Sequence, residues 1–365
     1  MQVVYFLSNS IKGFDLAKVT SSSEKYVLNL ALCLSKHVNV IILTNRLNYL
    51  EKIERGNLQL LGTKTNNKSE NKCIKEILKK ETRKCSVVFW GYKLSTVLCL
   101  LRVKKFNKQI YAFIFDSHKT VLKNYSPLWK KIIIDSIFSC GRSFVRFLDG
   151  FIFFQEIAIK RLKIKNKPVL VTKPGVNPYC IQRKIKNNIF TASFCGTFTE
   201  LNGIDKLLQA IKNFPEEEIQ FFFVGDGPLL SQVEELALNK ANVKYIERSD
   251  ANQVDSIYEC SDLLFNLRDL NDEAMNFAFP SKTFECASMA IPMITTKLLD
   301  DNVFINNAVI IDNVTVEEIT KAIEKVVKNY QIYKDKSMLL KKYIDERYSF
   351  DNCALELYDF LKQNN

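Results

Sequence analysis

The densest chemistry in the chain lies in residues 276–296, NFAFPSKTFECASMAIPMITT. A tight loop of small and aromatic residues runs into a helix carrying Lys282 and Glu285. Ser281, at the helix start, is an N-cap type, so free backbone N–H groups and the positive end of the helix dipole face the loop. Such an end suits a phosphate, although many helix starts bind only water. Ile291-Pro292 stops the helix, and 293–296 reads as a short buried strand. A second constellation is the stretch Gly196 to Gly203, which leaves a strand and enters a helix. Glycines at both ends let a phosphate approach the backbone. A third is Asp116-Ser117-His118 at the end of an apolar strand. An imidazole there suits acid–base work or substrate orientation; the alternative is a surface histidine without a role.

These groups need a scaffold of alternating strands and helices. Residues 3–8 and 38–44 read as strands around a helix at 24–36, whose stripe is Val27, Leu28, Leu30, Ala31 and Leu34. That β-loop-α-β opening marks a doubly wound sheet. Strands at 86–91, 110–115, 151–154 and 169–171 continue it. Residues 62–84 read as a Lys/Asn-rich connection and a polar helix. The first loop, 9–23, contains no G-x-G-x-x-G, yet a loop at the carboxyl end of a strand lies in the ligand crevice. After the turn KPGVNP at 173–178, strands at 191–195, 219–224, 243–246 and 262–266 alternate with helices, one of them carrying Ile204, Leu207, Leu208 and Ile211 on one stripe. GDGP at 225–228 reads as a turn. The expected fold class is α/β, with two Rossmann-like doubly wound parallel-sheet domains and a cleft between them. The expected bounds are 1–172 and 173–335, with helices in 336–365 packing back on the first domain.

Composition narrows the function. With 365 residues, 47% hydrophobic and 25% charged, the chain suits a globular protein of two ordinary domains, and no apolar run reaches the roughly 20 residues that span a bilayer. Ten cysteines without a C-x-x-C pair argue for a reducing compartment, against structural zinc and against a disulfide framework. Two histidines exclude a His-rich metal site. Residues 1–175 hold 32 Lys+Arg and 11 Asp+Glu, or +21, which against the total of +12 leaves −9 for the rest. A basic first half points to a polyanionic partner such as a membrane surface, a phosphorylated substrate or nucleic acid. No RNP-type or zinc motif supports nucleic acid. Residues 125–154 mix Trp129, Ile132, Ile133, Phe144 and Phe147 with Lys130, Lys131, Arg142 and Arg146. They suit an interfacial helix on an anionic membrane or an ordinary core-facing helix.

The order of GTFTELNG, GDGP and FPSKTFECASMAIPMITT, with VTKPGVNP before them and YSFDNCALELYDFL at the end, resembles the large, mostly retaining group 1 (family 4-like) glycosyltransferases of GT-B architecture. These serve capsule, O-antigen and exopolysaccharide synthesis. The resemblance spans the chain and is strongest over 173–296.

It implies a cytoplasmic glycosyltransferase, peripheral on the inner face of the membrane. Such an enzyme moves a sugar from a UDP- or GDP-linked donor to a lipid-linked or oligosaccharide acceptor, with no metal or other cofactor. By position, Glu285 holds the donor ribose, Lys282 meets the diphosphate, and backbone groups from Phe279 through Pro280 to Ser281 serve the sugar or phosphate. Gly196, Thr197, Asn202 and Gly203 form the diphosphate loop, Gly225 and Gly227 lie beside it, and Arg268 adds a positive charge. His118, Lys282 and Glu285 are the expected catalytic residues, and Ser21, Ser22 and His118 lie on the acceptor side. The chain departs from the pattern in three places. Thr197 and Asn202 stand where many relatives carry Arg and Lys. Phe277 stands where the E-x7-E spacing puts a first glutamate. Serines and Thr20 replace the glycines of the first loop. Two other readings remain open at this point: an inert nucleotide- or carbohydrate-binding partner subunit, and a nucleotide-sugar 2-epimerase.

Overall fold

The computed structural model describes residues 3–8, 11–16, 22–91, 94–106, 108–114, 128–177, 189–247, 251–270, 281–298 and 301–364. The chain divides into two compact units. One takes Met1–Gly175 and Phe350–Asn365; the other takes Val176–Met275 and Pro280–Ser349.

The first unit is built on β1 (Val3–Leu7), β2 (Asn39–Asn48), β3 (Lys52–Arg55), β4 (Leu58–Lys64), β5 (Cys85–Trp90), β6 (Lys108–Ile114), β7 (Gly150–Phe153) and β8 (Val169–Val171). Their order is β3-β4-β2-β1-β5-β6-β7-β8, parallel except for the β3–β4 hairpin. Both faces are covered, which is why strands such as VVYFL are apolar at every position. On one face Val4, Phe6 and Phe113 pack with Tyr26 and Leu30 of α1 (Ser22–Leu34). On the other, Val3, Tyr5 and Val87 pack with Ile77 of α2 (Glu70–Lys80) and Leu100 of α3 (Leu94–Val103). Helix α4 (Leu128–Val145) turns its Val145 inward, while Trp129, Ile132, Ile133 and Ile137 remain 42–60% exposed along one stripe. After α5 (Glu156–Leu162), the unit is completed by α13 (Phe350–Gln363), whose Phe350, Leu357 and Leu361 enter the same core as Tyr26.

A carboxylate cluster anchors one end of this sheet. Tyr5 and the Arg83 guanidinium both donate to Glu81, at 2.7 Å each, and the Glu81 side chain is only 8% exposed. The Arg83 hydrogen bonds hold the Glu81 carboxyl down to about 2. A depressed carboxyl contributes stability above its unfolded value of 4.5, and that contribution is lost as pH falls toward 2. Glu81→Gln is therefore expected to cost about 2 kcal/mol at neutral pH. Urea unfolding at a series of pH values should show the difference between variant and parent vanish on the acid limb.

The second unit holds β9 (Phe190–Thr197), β10 (Ile219–Asp226), β11 (Val243–Ile246), β12 (Leu263–Asn266), β13 (Met293–Thr296) and β14 (Val309–Ile311), all parallel, in the order β11-β10-β9-β12-β13-β14. On one face pack α6 (Ile204–Ile211), α7 (Leu230–Asn239) and α11 (Val316–Lys328), through Leu207, Val233 and Ile323. The other face carries α8 (Ala251–Cys260) and α9 (Ser281–Ala287). Helix α12 (Tyr330–Arg347) stays in this unit, against α9 and α10 (Asn302–Asn307), with the Tyr343 hydroxyl donating to Asp301 at 2.7 Å. The segment that returns to the first unit therefore begins at Phe350, not at 336.

Candidate functional site

The second sheet reverses direction at β9, which has β10 on one side and β12 on the other. Toward β10 the ladder runs to Gly196 and Thr197, paired with Gly225 and Asp226. Toward β12 it stops at Ser193, paired with Leu264. A crevice outside the carboxyl ends at such a reversal is where open α/β sheets bind ligands.

This register changes the reading of the glycines. Gly196-Thr197 and Gly225-Asp226 are the last ladder residues of β9 and β10 rather than loop or turn. Gly225 is required by close approach: at its φ of 153° a Cβ would lie 1.8 Å from the Gly196 carbonyl oxygen. Gly227, just past the end of β10, is likewise closed in by the Phe198 backbone, so the space at both glycines is filled by the chain itself. Gly203, at φ 66°, caps α6 and faces Val314 and Leu267.

The segment from Thr197 to Gly203 bridges the crevice and is held from both sides. Phe198 N–H donates to Asp226 O at 2.9 Å on the β10 side. On the β12 side, Asp269 N–H donates to Leu201 O at 3.0 Å, and Arg268 donates to the Asn202 side-chain oxygen. The Asn202 amide in turn donates to Thr197 O at 2.6 Å. Asn202 is thus a buried brace between loop and arginine. Burial pulls the Arg268 guanidinium below its ordinary value.

Helix α9 is set by a buried polar triad. Asn266 Nδ2 donates to Thr283 Oγ1 at 2.8 Å and to Thr295 Oγ1 at 3.2 Å, fixing the helix to β12 and β13. With Thr283, Phe284, Cys286 and Ala287 turned inward, Lys282 and Glu285 must face away from the core. Lys282 Nζ lies over the Phe194 ring, 5.9 Å from its centroid, and 3.4 Å from where a Cβ on Gly196 would stand. Tyr258, fully buried and pushed well above its ordinary pKa by burial, stays protonated and donates to Glu285 at 3.4 Å. Buried Cys286 marks the centre of the cluster. Burial raises its thiol to about 12, Lys282 and Arg268 pull it down, and Glu285 pushes it up.

The structure therefore brings together Gly196, Thr197, Asn202, Gly203, Arg268, Lys282 and Glu285 around one sheet reversal. Ser281 is the first helical residue and exposed, so it stands one place inside the helix rather than capping it from outside. Ser21, His118, Phe277, Phe279 and Pro280 lie outside the described residues, as does the side chain of Ser22, which opens α1. Sequence reasoning missed Tyr258, whose hydroxyl meets Glu285 only because α8 packs beside β9; no local pattern marks it. Among the described residues no group of three or more His, Cys, Asp or Glu could hold a metal ion.

The fold is shared with solved structures over the whole chain. Sucrose-phosphate synthase from Thermosynechococcus elongatus superposes with a TM-score of 0.70 at 11% identity, covering 100% of this chain and 99% of that one. Anabaena HepE in complex with UDP-glucose gives 0.66 at 10% identity, with 99% of each chain covered. WaaG, a glycosyltransferase involved in lipopolysaccharide biosynthesis, gives 0.64 at 15%, with 98% of each covered. This is the GT-B architecture of two parallel-sheet α/β domains. Residues 181–345, nearly all within the second unit, match the model of the family "Glycosyl transferases group 1", so this region carries a group 1 glycosyltransferase domain. No curated protein matches the sequence.

Proposed function

We propose that the chain transfers a sugar from a nucleoside-diphosphate sugar, UDP- or GDP-linked, to a lipid-linked or oligosaccharide acceptor in surface polysaccharide synthesis. The observation that carries this reading is Lys282 Nζ poised over side-chain-free Gly196 at the sheet reversal, with Glu285 one helical turn away. A diphosphate laid against Gly196 meets that ammonium. As the sugar leaves, negative charge grows on the diphosphate, and a preorganised cation stabilises it most where water is excluded. No metal is required for that role. Glu285, an acceptor of two hydroxyl hydrogen bonds, suits a ribose, and Tyr258 steadies it. UDP-glucose in HepE and UDP-2-fluoro glucose in the trehalose-6-phosphate structure from E. coli support a nucleotide sugar as donor.

Two features support a cytoplasmic protein resting on an anionic membrane. The exposed stripe of α4 carries Trp129, Ile132 and Ile133, with Lys130 Nζ 5.5 Å from the Trp129 ring centroid. It belongs to the half of the chain with net charge +21 (32 Lys+Arg less 11 Asp+Glu in residues 1–175). Each cation near such a surface contributes on the order of 1 kcal/mol. Among the described residues no helix is long and apolar enough to cross a membrane.

A panel of UDP- and GDP-sugars, read by release of the free nucleotide, tests the donor. One sugar is expected to turn over, with Glu285→Ala and Lys282→Ala both losing that release. Binding of a donor without any turnover, with or without acceptor glycolipids, would replace this reading with that of an inert partner subunit. Uncharged Thr197 and the committed Asn202 are the features that favour that rival.

A further inference from the structure

The eight-stranded sheet builds a second cationic cluster that donor chemistry does not use. Strands β2 and β4 pair in step from Val40↔Leu58 to Thr44↔Gly62, and pairing resumes only at Asn48↔Lys64. Three residues of β2, 45–47, therefore stand opposite the single residue Thr63 and arch out of the ladder as an enlarged bulge. Gly62 admits the arch: a Cβ there would lie 1.8 Å from the Asn48 carbonyl oxygen.

The arch opens a cavity of ≈ 460 Å³ whose lining includes Lys12, Arg46, Lys64 and Lys68 against one carboxylate, Glu70. Lys12 is brought there by its neighbour, since Thr44 Oγ1 donates to Ile11 O at 2.8 Å and accepts from Arg46 N–H at 3.2 Å. Lys68 is shared with Glu76 at 2.8 Å, and Arg46 lies within electrostatic reach of Glu24. No ion pair engages Lys12, Arg46 or Lys64 among the described residues. Thr63 also lines the cavity. It is 1% exposed, and its hydroxyl has no hydrogen-bond partner among the described residues. A buried hydroxyl normally has a partner, so one left open beside uncommitted cations points to a ligand that supplies it. Bulges of this kind recur next to binding sites, where they re-aim side chains.

We propose that this pocket binds a phosphate-type oxyanion, a phosphate or diphosphate group carried by a saccharide or by a lipid. Arg46 and the lysines supply charge-assisted hydrogen bonds, and Thr63 donates from the floor. The site goes beyond the transferase reading and stands independently of whether a sugar is moved.

Calorimetric titration of the full chain with inorganic pyrophosphate tests it. The Lys282→Ala/Arg268→Ala double variant removes the cations of the donor side. In that background a pyrophosphate site is expected to persist, to weaken about tenfold in Arg46→Gln and again in Lys64→Gln, and to weaken severalfold in Thr63→Val. Arg46 and Lys64 are exposed, so these variants should keep the parent's circular dichroism. Absence of a site in the double variant, or binding there that ignores Arg46→Gln and Lys64→Gln, overturns the proposal. Two further arms identify the bearer, each compared between parent and Arg46→Gln. Glucose 1-phosphate is the soluble probe, and phosphatidylcholine vesicles with and without polyprenyl diphosphate are the lipid probe. The probe whose binding falls in Arg46→Gln is the source, and insensitivity of both counts against the site.

Discussion

Lys282→Ala is expected to lower kcat for nucleotide release about 100-fold or more, while Tm stays within a degree or two of the parent. Losing one preorganised group that meets developing negative charge costs about 10²–10³ in kcat. Among the described residues the neighbourhood offers no ready substitute. Arg268 is bound to Asn202, which is itself bound to Thr197 O, so the guanidinium cannot swing toward Gly196 without breaking the brace across the crevice. Stability should hardly change because Lys282 is half-exposed and its ring contact with Phe194, at 5.9 Å, is a long one. Steady-state kinetics with the preferred donor, beside a thermal melt, decide the matter. A kcat within about threefold of the parent would mean that the diphosphate charge is met elsewhere.

Gly225→Ala should be among the most damaging single changes in the second unit, with an expected loss of about 3 kcal/mol or more. The added methyl group meets a main-chain oxygen at 1.8 Å, not a side chain that can rotate away, and the backbone sits at a φ of 153°. Relief requires β9 and β10 to part at their carboxyl ends, which pulls Gly196 out from under Lys282. Activity should therefore fall together with stability. Gly13→Ala is the matched control, since a Cβ at Gly13 meets nothing within 4 Å. A urea midpoint for Gly225→Ala equal to that of Gly13→Ala would contradict the close approach.

Much of the fold was legible because parallel strands buried on both faces are apolar throughout. VVYFL, SVVFW and IQFFFV stand out from any polar surroundings. The β3–β4 hairpin was not legible. Only 62–84 carries a reading there, as a Lys/Asn-rich connection and a polar helix, whereas β4 runs over Leu58–Lys64 with Leu58 and Leu60 fully buried. Missing that hairpin also hid the bulge and the cationic cavity, which exist only where two strands fall out of step. In the candidate site, the helix carrying Lys282 and Glu285 was read from the Ser281 start and the Ile291-Pro292 stop, and the choice of those two residues came from the motif's resemblance. The role of Asn202 did not follow, because its partners, Thr197 and Arg268, are five and sixty-six residues away. At GDGP the turn begins only at Gly227-Pro228, and Gly225-Asp226 still belong to the strand. Nothing local distinguishes a glycine in a turn from one that lets two strands run on together.

The last helix has a consequence for the order in which the molecule is made. Helix α13 supplies Phe350, Leu357 and Leu361 to the same core as Tyr26, and beyond it Asn364 O accepts from the Gln109 amide at 2.7 Å and from the Tyr111 hydroxyl at 3.2 Å. Domains emerging from a ribosome usually fold first-made, first-folded. Here the stretch made first lacks part of its own interior until residues 350–364 are synthesised. At about 5–20 residues per second, the intervening segment delays that closure by on the order of ten seconds or more. The unit made second has its core sequence complete sooner. The half of the chain with the greater positive charge is thus also the half that waits, with apolar strands already made and their covering helix still to come.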